Sequence, residues 1–487
     1  MIRKLLLALL AVIVVVAGIV VYRAITFVPA ETTAVQPADY PIDADAVAGR
    51  LSEAVRFQTI SRQPPEPADP VPFAAYIAWL ETAYPDLHAA LKRERLGSHA
   101  LLYTWPGRDP AAKPVMLTAH YDVVPVIPGT EGKWTHPPFA GVIADGHVWG
   151  RGTLDDKGAM ITMLEAVTHL LREGFVPKQT VYLAFGDDEE VGGERGAGAI
   201  VAHLQAQKVR LDWSLDEGSF VLDGIVPGVA RPLASINIAE KGYLTLQLTA
   251  QAAGGHSSMP PRETAVGLIA EAIVRLQRAP LPGGLDGVSG QAFGAMARNM
   301  SFDKRILFAN QWLFGGLLDH VLSQAPTTNA MLRTTTAPTM LSGSVKENVL
   351  PIEATGTVNF RLHPRDTVDG VIAYVKQTIA DERITVSVVG RASEPSAVAG
   401  TATAGFRAMA AAVRRSYGDA VVLPGLTIAA TDSAHYGAIS DNAYRFNPMM
   451  ITAQDLTGFH GTNERLSLEN LARATAFYID LLKTTGG

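Results

Sequence analysis

Residues 185–193 have the sequence Phe-Gly-Asp-Asp-Glu-Glu-Val-Gly-Gly, and the chain is best understood outward from them. The preceding residues 180–185, Thr-Val-Tyr-Leu-Ala-Phe, predict a short buried strand that ends where four acids begin. Side chains alternate along an extended segment, so Glu189 and Glu190 are expected to point different ways. One carboxylate could then bind a metal while the other acts as a base. Taken alone, four acids in a row are more typical of a solvated acidic turn, and only the matching acids and histidines elsewhere in the chain favour a metal site.

Other apolar, strand-like runs also end in polar residues. His120 follows residues 114–118, and Asp155 and Asp216 occupy equivalent positions after later runs. Strands that alternate with helices predict an α/β fold, with a doubly wound, mostly parallel sheet. Functional groups collect at the carboxyl ends of the strands in such sheets. We therefore expect His120, Asp155, the Glu189/Glu190 pair and Asp216 to face one crevice.

The pattern changes near residue 238, where alternating strands and two amphipathic helices predict an inserted α+β domain. The apolar segment 306–322, with Phe308, Trp312 and Phe314, would either line an acyl or side-chain pocket or belong to a core. The α/β rhythm resumes near residue 368. The expected organisation is a membrane anchor at 1–23, a tether at 24–40, a catalytic domain at 41–237 and 366–487, and the insert at 238–365.

The N-terminus predicts a membrane location. Arg3 and Lys4 precede an apolar run over residues 5–22 that ends at Arg23. A membrane span needs about 20 apolar residues, whereas the core of a signal peptide needs about 7–15. The run therefore favours a single-pass signal anchor over a cleaved signal. Positive charge before the span favours a cytoplasmic N-terminus, which places the catalytic domain in the periplasm, the extracellular space or a lumen.

Composition narrows the chemistry. The 487 residues suggest two or three domains, and 48% hydrophobic with 18% charged residues supports large cores. A net charge of -6 argues against a nucleic-acid partner. The chain has no cysteine, so any metal site must use His, Asp and Glu.

Five residues are candidate ligands for two divalent cations, and each lies beside a glycine or a turn. Two close cations without thiolate ligands need imidazoles and a shared carboxylate. Asp122, two residues after a candidate histidine, could orient that imidazole. The candidates are His120, Asp155, Glu190, Asp216 and His460.

Eight short motifs in this order resemble the zinc aminoacylase/carboxypeptidase family of metallopeptidases, over about residues 45–485. Within that family the likeness is strongest to the carboxypeptidase S and N-fatty-acyl-amino-acid synthase/hydrolase groups. The motifs are HxD at 120–122, GRGxLDDKG at 150–158, DDEEVGG at 187–193, LDEG at 215–218, GGHSS at 254–258, NVLP at 348–351, FRLHP at 360–364 and GFHGTNE at 458–464.

The resemblance implies two Zn²⁺ ions per subunit, which Mn²⁺ or Co²⁺ could replace. It implies that Asp155 bridges the ions, with a cis peptide bond to Asp156. His120 and Asp216 would complete one site, and Glu190 and His460 the other. Glu189 would be the general base and Asp122 would orient His120.

The resemblance also implies that the insert is a lid or dimerisation domain, and it assigns roles to three residues of this insert. His256 would stabilise the oxyanion in its own or a neighbouring subunit, so a homodimer through the insert is compatible with it. Asn348 and Arg361 would hold the terminal carboxylate of the substrate. As alternatives, His256 would be a turn residue and Arg361 a surface charge on a strand.

These observations favour a dizinc hydrolase that cleaves an amide bond next to a free carboxylate. Its substrates would be small peptides, as for a carboxypeptidase, or N-acyl amino acids. A dipeptidase or aminopeptidase is the competing enzyme hypothesis, and capture of a carboxylate by Arg361 argues against it. A membrane-tethered binding protein without activity is the non-enzymatic alternative, but no predicted ligand or base is missing.

Overall fold

The computed structural model describes residues 1–29, 36–37, 39–63 and 66–486. Its helices are α1 Ile2–Thr26, α2 Ala44–Val55, α3 Pro70–Ala83, α4 Pro85–Ala90, α5 Lys157–Arg172, α6 Ala197–Ala206, α7 Ala265–Arg278, α8 Gly287–Ala297, α9 Phe302–Ala309, α10 Gln311–Leu322, α11 Pro326–Leu332, α12 Val368–Ile379, α13 Ala404–Tyr417, α14 Ser433–Tyr436, α15 Ala453–Leu456 and α16 Leu468–Gly486. Its strands are β1 Lys92–Leu96, β2 Ala100–Trp105, β3 Val115–His120, β4 Val142–Ala144, β5 His147–Trp149, β6 Val181–Gly186, β7 Trp213–Asp216, β8 Val221–Leu222, β9 Leu233–Glu240, β10 Gly242–Gln251, β11 Gly255–His256, β12 Thr335–Ser342, β13 Val349–Leu350, β14 Glu353–Leu362, β15 Ile384–Val388, β16 Val421–Thr427, β17 Ala443–Arg445, β18 Met450–Ile451 and β19 Arg465–Ser467.

The chain forms two compact units. The sheet unit comprises Ala30–Ile238, Val398–Thr427 and Thr431–Gly487. The insert unit comprises Met1–Pro29, Ala239–Ala397 and Ile428–Ala430.

A ten-stranded sheet organises the sheet unit, and the predicted α/β class is confirmed. Its strand order is β1-β2-β6-β3-β7-β17-β9-β8-β18, with β16 paired to β9. β3 lies parallel to both β6 and β7, and every residue of these three strands is buried. Strands buried on both faces explain the continuous apolar runs in the sequence. Because the three are parallel neighbours, their carboxyl ends meet at one edge of the sheet.

An antiparallel sheet of order β12-β14-β10-β15 organises the insert unit. Burial alternates residue by residue along β10 and β14, so one face of this sheet packs on a core. The core joins Leu246 and Phe360 of these strands to Ile269 of α7. The amphipathic pattern of α7 is therefore explained by its packing on this sheet.

The insert unit continues to Ala397, beyond the expected boundary at residue 365. β15 pairs with β10, and the buried residues Val371 and Val375 of α12 belong to the core of the insert unit. The predicted return of the α/β rhythm near residue 368 is thus part of the insert, because one helix followed by one strand fits either unit.

The N-terminal helix α1 contains 25 residues and is long and apolar enough to cross a bilayer. It continues through Thr26 into the stretch expected to be a tether. Phe27 packs against the cluster formed by Phe293 and Phe308. Of the remaining tether, residues 30–35 and 38 lie outside the described residues, as do residues 64–65 of the next Pro-rich loop.

Local differences from the sequence predictions have identifiable causes. Residues 142–149, a mostly apolar segment of the sequence, form the hairpin β4–β5, and Asp145 and Gly146 adopt φ values of 51° and 72° at its turn. The apolar and β-branched residues 331–336 predict a strand, but the first two of them end helix α11 and the strand β12 begins at Thr335. The strands β16 and β17 were not predicted, because Pro424 and Gly425 interrupt the apolar run of β16 and β17 has only three residues.

Candidate active site

The candidate ligands converge at the carboxyl edge of the sheet unit. His120 is the last residue of β3, and a short 3₁₀-helix after β6, Glu189–Val191, carries the two glutamates. Asp155 lies just before α5, at a cis peptide bond with Asp156, which confirms that prediction. His460 lies beside Gly461, where a Cβ atom would be 2.1 Å from the Thr457 carbonyl oxygen. A glycine is therefore required next to this histidine.

Asp155 links the two histidines through separate oxygens. Its Oδ1 lies 3.0 Å from Nε2 of His120, and its Oδ2 lies 2.8 Å from Nε2 of His460. Oε2 of Glu190 lies 3.4 Å from the same nitrogen of His460. Ligand atoms of His120, Asp155 and Glu190 all lie within 4.8 Å of one another. One carboxylate between two imidazoles is an arrangement that a pair of cations could share.

A second group of donors gathers around His120. Oε2 of Glu189 lies 3.9 Å and Oε1 of Glu217 lies 3.7 Å from its Nε2. Ligand atoms of His120, Glu189 and Glu217 again lie within 4.8 Å of one another. Glu189 lies 3.9 Å from the imidazole of His120 and Glu190 lies 3.4 Å from that of His460, so the two side chains diverge as expected.

Glu217, the neighbour of the predicted ligand Asp216, lies close to His120. Asp216 ends β7, and its Oδ2 is buried with no hydrogen-bond partner among the described residues. It is not among the donors grouped around His120, whereas its neighbour Glu217 is. The two acids are consecutive residues, and their side chains point in different directions, so only one of them reaches the cluster around His120. The assignment of Asp216 as a ligand stays a prediction.

Asp122 positions both histidine and glutamates. Its carbonyl oxygen lies 3.1 Å and its Oδ1 lies 3.3 Å from Nδ1 of His120. Its Oδ1 and Oδ2 accept hydrogen bonds of 3.2 Å from the backbone N–H groups of Glu189 and Glu190. Ser61 Oγ donates a further bond of 2.6 Å to Oδ2. A single buried acid therefore fixes the histidine and the turn that carries the candidate base.

Glu464 fixes the loop that carries Asp155, a role that sequence reasoning missed. Its carboxylate accepts N–H bonds from Gly152, Leu154 and Asp155 at 3.0, 2.8 and 3.1 Å. Arg151 Nη1 donates a fourth bond of 2.7 Å, and both charged side chains are fully buried. The only signal in the sequence was the position of Glu464 at the end of the GFHGTNE motif.

The acids of the site lie close together and are buried, and both effects shift the pKa values of the groups around them. Burial raises the pKa of Glu189 well above its usual value, and burial together with the charge of Asp155 raises that of Glu190 to about 7. Hydrogen bonds to Asp155 and Glu190 raise the pKa of His460 to about 10. Burial raises the pKa of Glu217 as well, and the charge of Asp155 adds to this. Divalent cations would relieve this repulsion.

The residues present fit a pair of divalent cations. Two imidazoles and several carboxylates form the donor set that zinc takes when no thiolate is available. Oε1 of Glu190 is buried without a hydrogen-bond partner among the described residues, so it is an oxygen with unused acceptor capacity. A bound cation would use this capacity.

Three predicted substrate contacts belong to the insert unit. His256 on β11 is exposed and pairs with Val349 of β13, and its Nδ1 lies 2.8 Å from Ser258 Oγ. Asn348 accepts a backbone bond of 3.1 Å from Ser257, so Asn348 and His256 share one β-ribbon. Arg361 lies on β14 with its guanidinium 4.7 Å from the centroid of the Tyr243 ring.

Comparison with known proteins identifies the family. Residues 116–484 match the sequence profile of peptidase family M20/M25/M40, which is more than half of the chain. The chain belongs to this family. The resemblance inferred from the eight motifs is confirmed, and the chain is a metallopeptidase-type hydrolase of a generally zinc-dependent family.

Named members of the M20 family are similar over most of their length. A probable carboxypeptidase S-like protein of Dictyostelium discoideum is 39% identical over 443 residues, covering 90% of this chain and 85% of the relative. An N-fatty-acyl-amino acid synthase/hydrolase of Xenopus tropicalis is 37% identical over 438 residues, covering 89% and 85%. The crystal structure of an M20 family metallo-carboxypeptidase from Sulfolobus solfataricus shares the fold, with a TM-score of 0.63, 17% identity and coverage of 90% and 99%.

Proposed function

We propose that this M20 enzyme is a dizinc hydrolase that cleaves an amide bond next to a free carboxylate. The observation that carries the proposal is the Asp155 carboxylate, whose two oxygens lie 3.0 and 2.8 Å from the Nε2 atoms of His120 and His460. The similarity to proteins named for carboxypeptidase and N-fatty-acyl-amino-acid hydrolase activity supports this substrate class.

Asp155 would be shared by the two ions, with His120 and Glu217 on one side and Glu190 and His460 on the other. Glu217 replaces Asp216 in this proposal because it is the acid that lies near His120. When bound, the zinc ions would polarise the substrate carbonyl and favour ionisation of water near neutral pH. Side chains of the protein transfer the protons and bind the substrate.

Glu189 is the proposed general base. Its carboxylate would take a proton from the attacking water as the water oxygen bonds to the carbonyl carbon. It would then return that proton to the amide nitrogen as the C–N bond breaks, releasing an amine and a carboxylate. The hydrogen bond from Glu189 N–H to Asp122 holds the backbone of this base in place, which leaves the carboxylate oxygens available for proton transfer.

His256, Asn348 and Arg361 complete the proposal through the family resemblance. His256 would donate a hydrogen bond to the developing oxyanion. The Arg361 guanidinium lies over the Tyr243 ring, 4.7 Å from its centroid, and a guanidinium can bind a carboxylate with two parallel hydrogen bonds. A dipeptidase or aminopeptidase would instead require an acidic partner for a free amine, which this guanidinium does not supply.

The location and assembly are proposed on similar grounds. Helix α1 would be a signal anchor that keeps the sheet unit outside the cytoplasm, since Arg3 and Lys4 precede its apolar run. A homodimer through the insert unit would be compatible with the lid or dimerisation role implied by the resemblance.

Matched substrates test the function. The zinc-loaded full chain would be assayed with N-acyl amino acids and short peptides, each as the free acid and as its C-terminal amide. Loss of two charge-assisted hydrogen bonds, each worth about 1.5–3 kcal/mol, predicts at least about 100-fold faster hydrolysis of the acids. Arg361→Ala should remove most of this difference. Equal rates for acids and amides with the native protein would contradict the proposal.

A further inference from the structure

The C-terminal end of α1 is attached to the rest of the insert unit by specific contacts. Arg23 Nε donates a hydrogen bond of 2.9 Å to the carbonyl oxygen of Ala309, the last residue of α9. Asn310 Nδ2 donates one of 3.1 Å to the carbonyl oxygen of Val20. Ala24 is fully buried, while most of the rest of α1 is exposed. The junction between α9 and α10 is thereby fixed beside the end of the apolar helix.

Helix α10 begins at this junction and exposes an apolar face. Its exposed positions form two rows with a spacing of four, which places them on one side of the helix. The side chains of Trp312, Leu313, Leu317 and Val321 are 57%, 48%, 49% and 55% exposed. The one formal charge of α10, Asp319, is paired with Arg333 Nη2 at 2.6 Å. The rows are Trp312, Gly316 and His320, and Leu313, Leu317 and Val321.

The start of α10 lies beside a known position on α1, and this position indicates what covers the apolar face of α10. The apolar run of α1 ends at Tyr22, and Val20 lies two residues earlier, which is about 3 Å along the helix axis. An 18-residue apolar run is about 27 Å long, close to the thickness of the hydrocarbon core of a bilayer. If α1 crosses a bilayer, Asn310 must lie near the boundary between hydrocarbon and headgroups. Tryptophan is enriched at that level.

We infer that α10 lies on the surface of the bilayer that α1 crosses, with its apolar face among the lipids. This inference rests on the proposed membrane anchor. An amphipathic helix in this position buries its apolar side about 5–10 Å into the boundary of headgroups and acyl chains. Arg298, after α8, lies over the Phe27 ring and donates a hydrogen bond of 3.0 Å to the carbonyl oxygen of Val28, so it places positive charge beside the end of α1, which suits anionic lipid headgroups. The insert unit is therefore held against the membrane at two adjoining points.

Tryptophan fluorescence of the full chain in lipid nanodiscs tests the inference. Trp312 is the most exposed of the six tryptophans, all of which lie in the described residues, and α1 contains none. Nanodiscs of phosphatidylcholine and phosphatidylglycerol would be prepared with and without bromine on the acyl chains near the headgroups. Brominated lipid should quench the native protein, and Trp312→Phe should lose at least half of that quenching. Unchanged quenching in Trp312→Phe would overturn the inference.

A charge substitution with a matched control separates the apolar face from general effects. Leu317→Glu should reduce the quenching of Trp312 at least twofold, because a carboxylate opposes insertion of this face. Leu341→Glu changes a leucine of the same unit that is 68% exposed on β12, and should leave the quenching unchanged. Equal quenching in Leu317→Glu and the native protein would contradict the inference.

The outcomes distinguish the anchor from the docked helix. A native chain that does not enter nanodiscs would refute the anchor and this inference together. A chain that enters nanodiscs while Trp312 stays unquenched would refute only the inference. Unquenched Trp312 combined with a dimer in detergent that Leu317→Glu dissociates would instead assign the face to a second copy.

Discussion

The substitution Glu464→Gln tests whether a second buried acid holds the bridging residue in place. The Glu464 carboxylate accepts N–H bonds from Gly152, Leu154 and Asp155, and pairs with Arg151 at 2.7 Å. Glutamine has nearly the same shape, but it replaces one acceptor oxygen with an NH₂ group that faces other donors. It also leaves the buried Arg151 guanidinium without its charged partner.

The expected cost follows from these contacts. Removing one partner of a buried ion pair costs about 3–5 kcal/mol, and the retained amide oxygen keeps part of the hydrogen bonding. We expect Glu464→Gln to lose about 3 kcal/mol of unfolding free energy. Because Asp155 N–H is one of the donors, its carboxylate should also be less well placed, and zinc affinity should fall about 10–100-fold.

Two measurements and one control examine this reasoning. Urea unfolding of the zinc-free protein reports stability, and competition with a chelator reports zinc affinity. Glu469→Gln is the control, since its salt bridge with Arg473 lies on the surface and should contribute less than about 1 kcal/mol. If Glu464→Gln matched this control in both stability and zinc affinity, Glu464 would have no positioning role.

Four further substitutions test the site and the pH dependence of stability. Glu189→Gln should lower kcat by at least about 100-fold with zinc content unchanged, as measured by turnover and metal analysis; turnover near the native rate would contradict its role as base. Glu217→Gln should lower zinc content or affinity while Asp216→Asn should not, and the reverse result would restore Asp216 as the ligand. Burial and the charge of Arg365 lower the pKa of His363 from 6.5 to about 3, so only the unfolded chain binds its proton between those values. Stability should therefore fall as pH drops below about 6.5, by up to about 1.4 kcal/mol per pH unit from this group, and His363→Asn should flatten that dependence in urea unfolding relative to the native protein; identical slopes would refute the assignment.

The sequence predicted the architecture where buried strands and helices alternate without interruption. The runs that became β3, β6 and β7 are continuous and apolar because both faces of the sheet are covered. The boundary of the insert was harder to predict, since α12 and β15 have the same local pattern as an α/β unit. Only their packing against β10 and the core of the insert shows where they belong.

The site was predictable in its residue types and less so in its geometry. Glu189 and Glu190 diverge as expected, although they lie in a 3₁₀-helix and not on the extended segment from which the expectation was drawn. At the end of β7 the sequence offers two neighbouring acids, and the path of the backbone after Asp216 decides which one faces His120. That path depends on tertiary contacts, and it therefore cannot be predicted from the alternation of side chains along a strand.

The positioning acids explain how so many carboxylates can be held close together. Asp122 uses its oxygens on the N–H groups of Glu189 and Glu190, and Glu464 uses its oxygens on N–H groups of the loop at Asp155. Asp155, Glu189 and Glu190 are thus held through their backbone N–H groups, which leaves their own carboxylates available to the site. This arrangement leaves the oxygens of Asp155, Glu189 and Glu190 directed at the imidazoles and at one another, and bound cations would offset the repulsion among these carboxylates. Zinc removal should therefore loosen the site while the backbone network around Asp122 and Glu464 persists, and amide hydrogen exchange at Glu189, Glu190 and Asp155 would measure it: protection that vanished with the metal would show that the cations, and not these two acids, hold the loops.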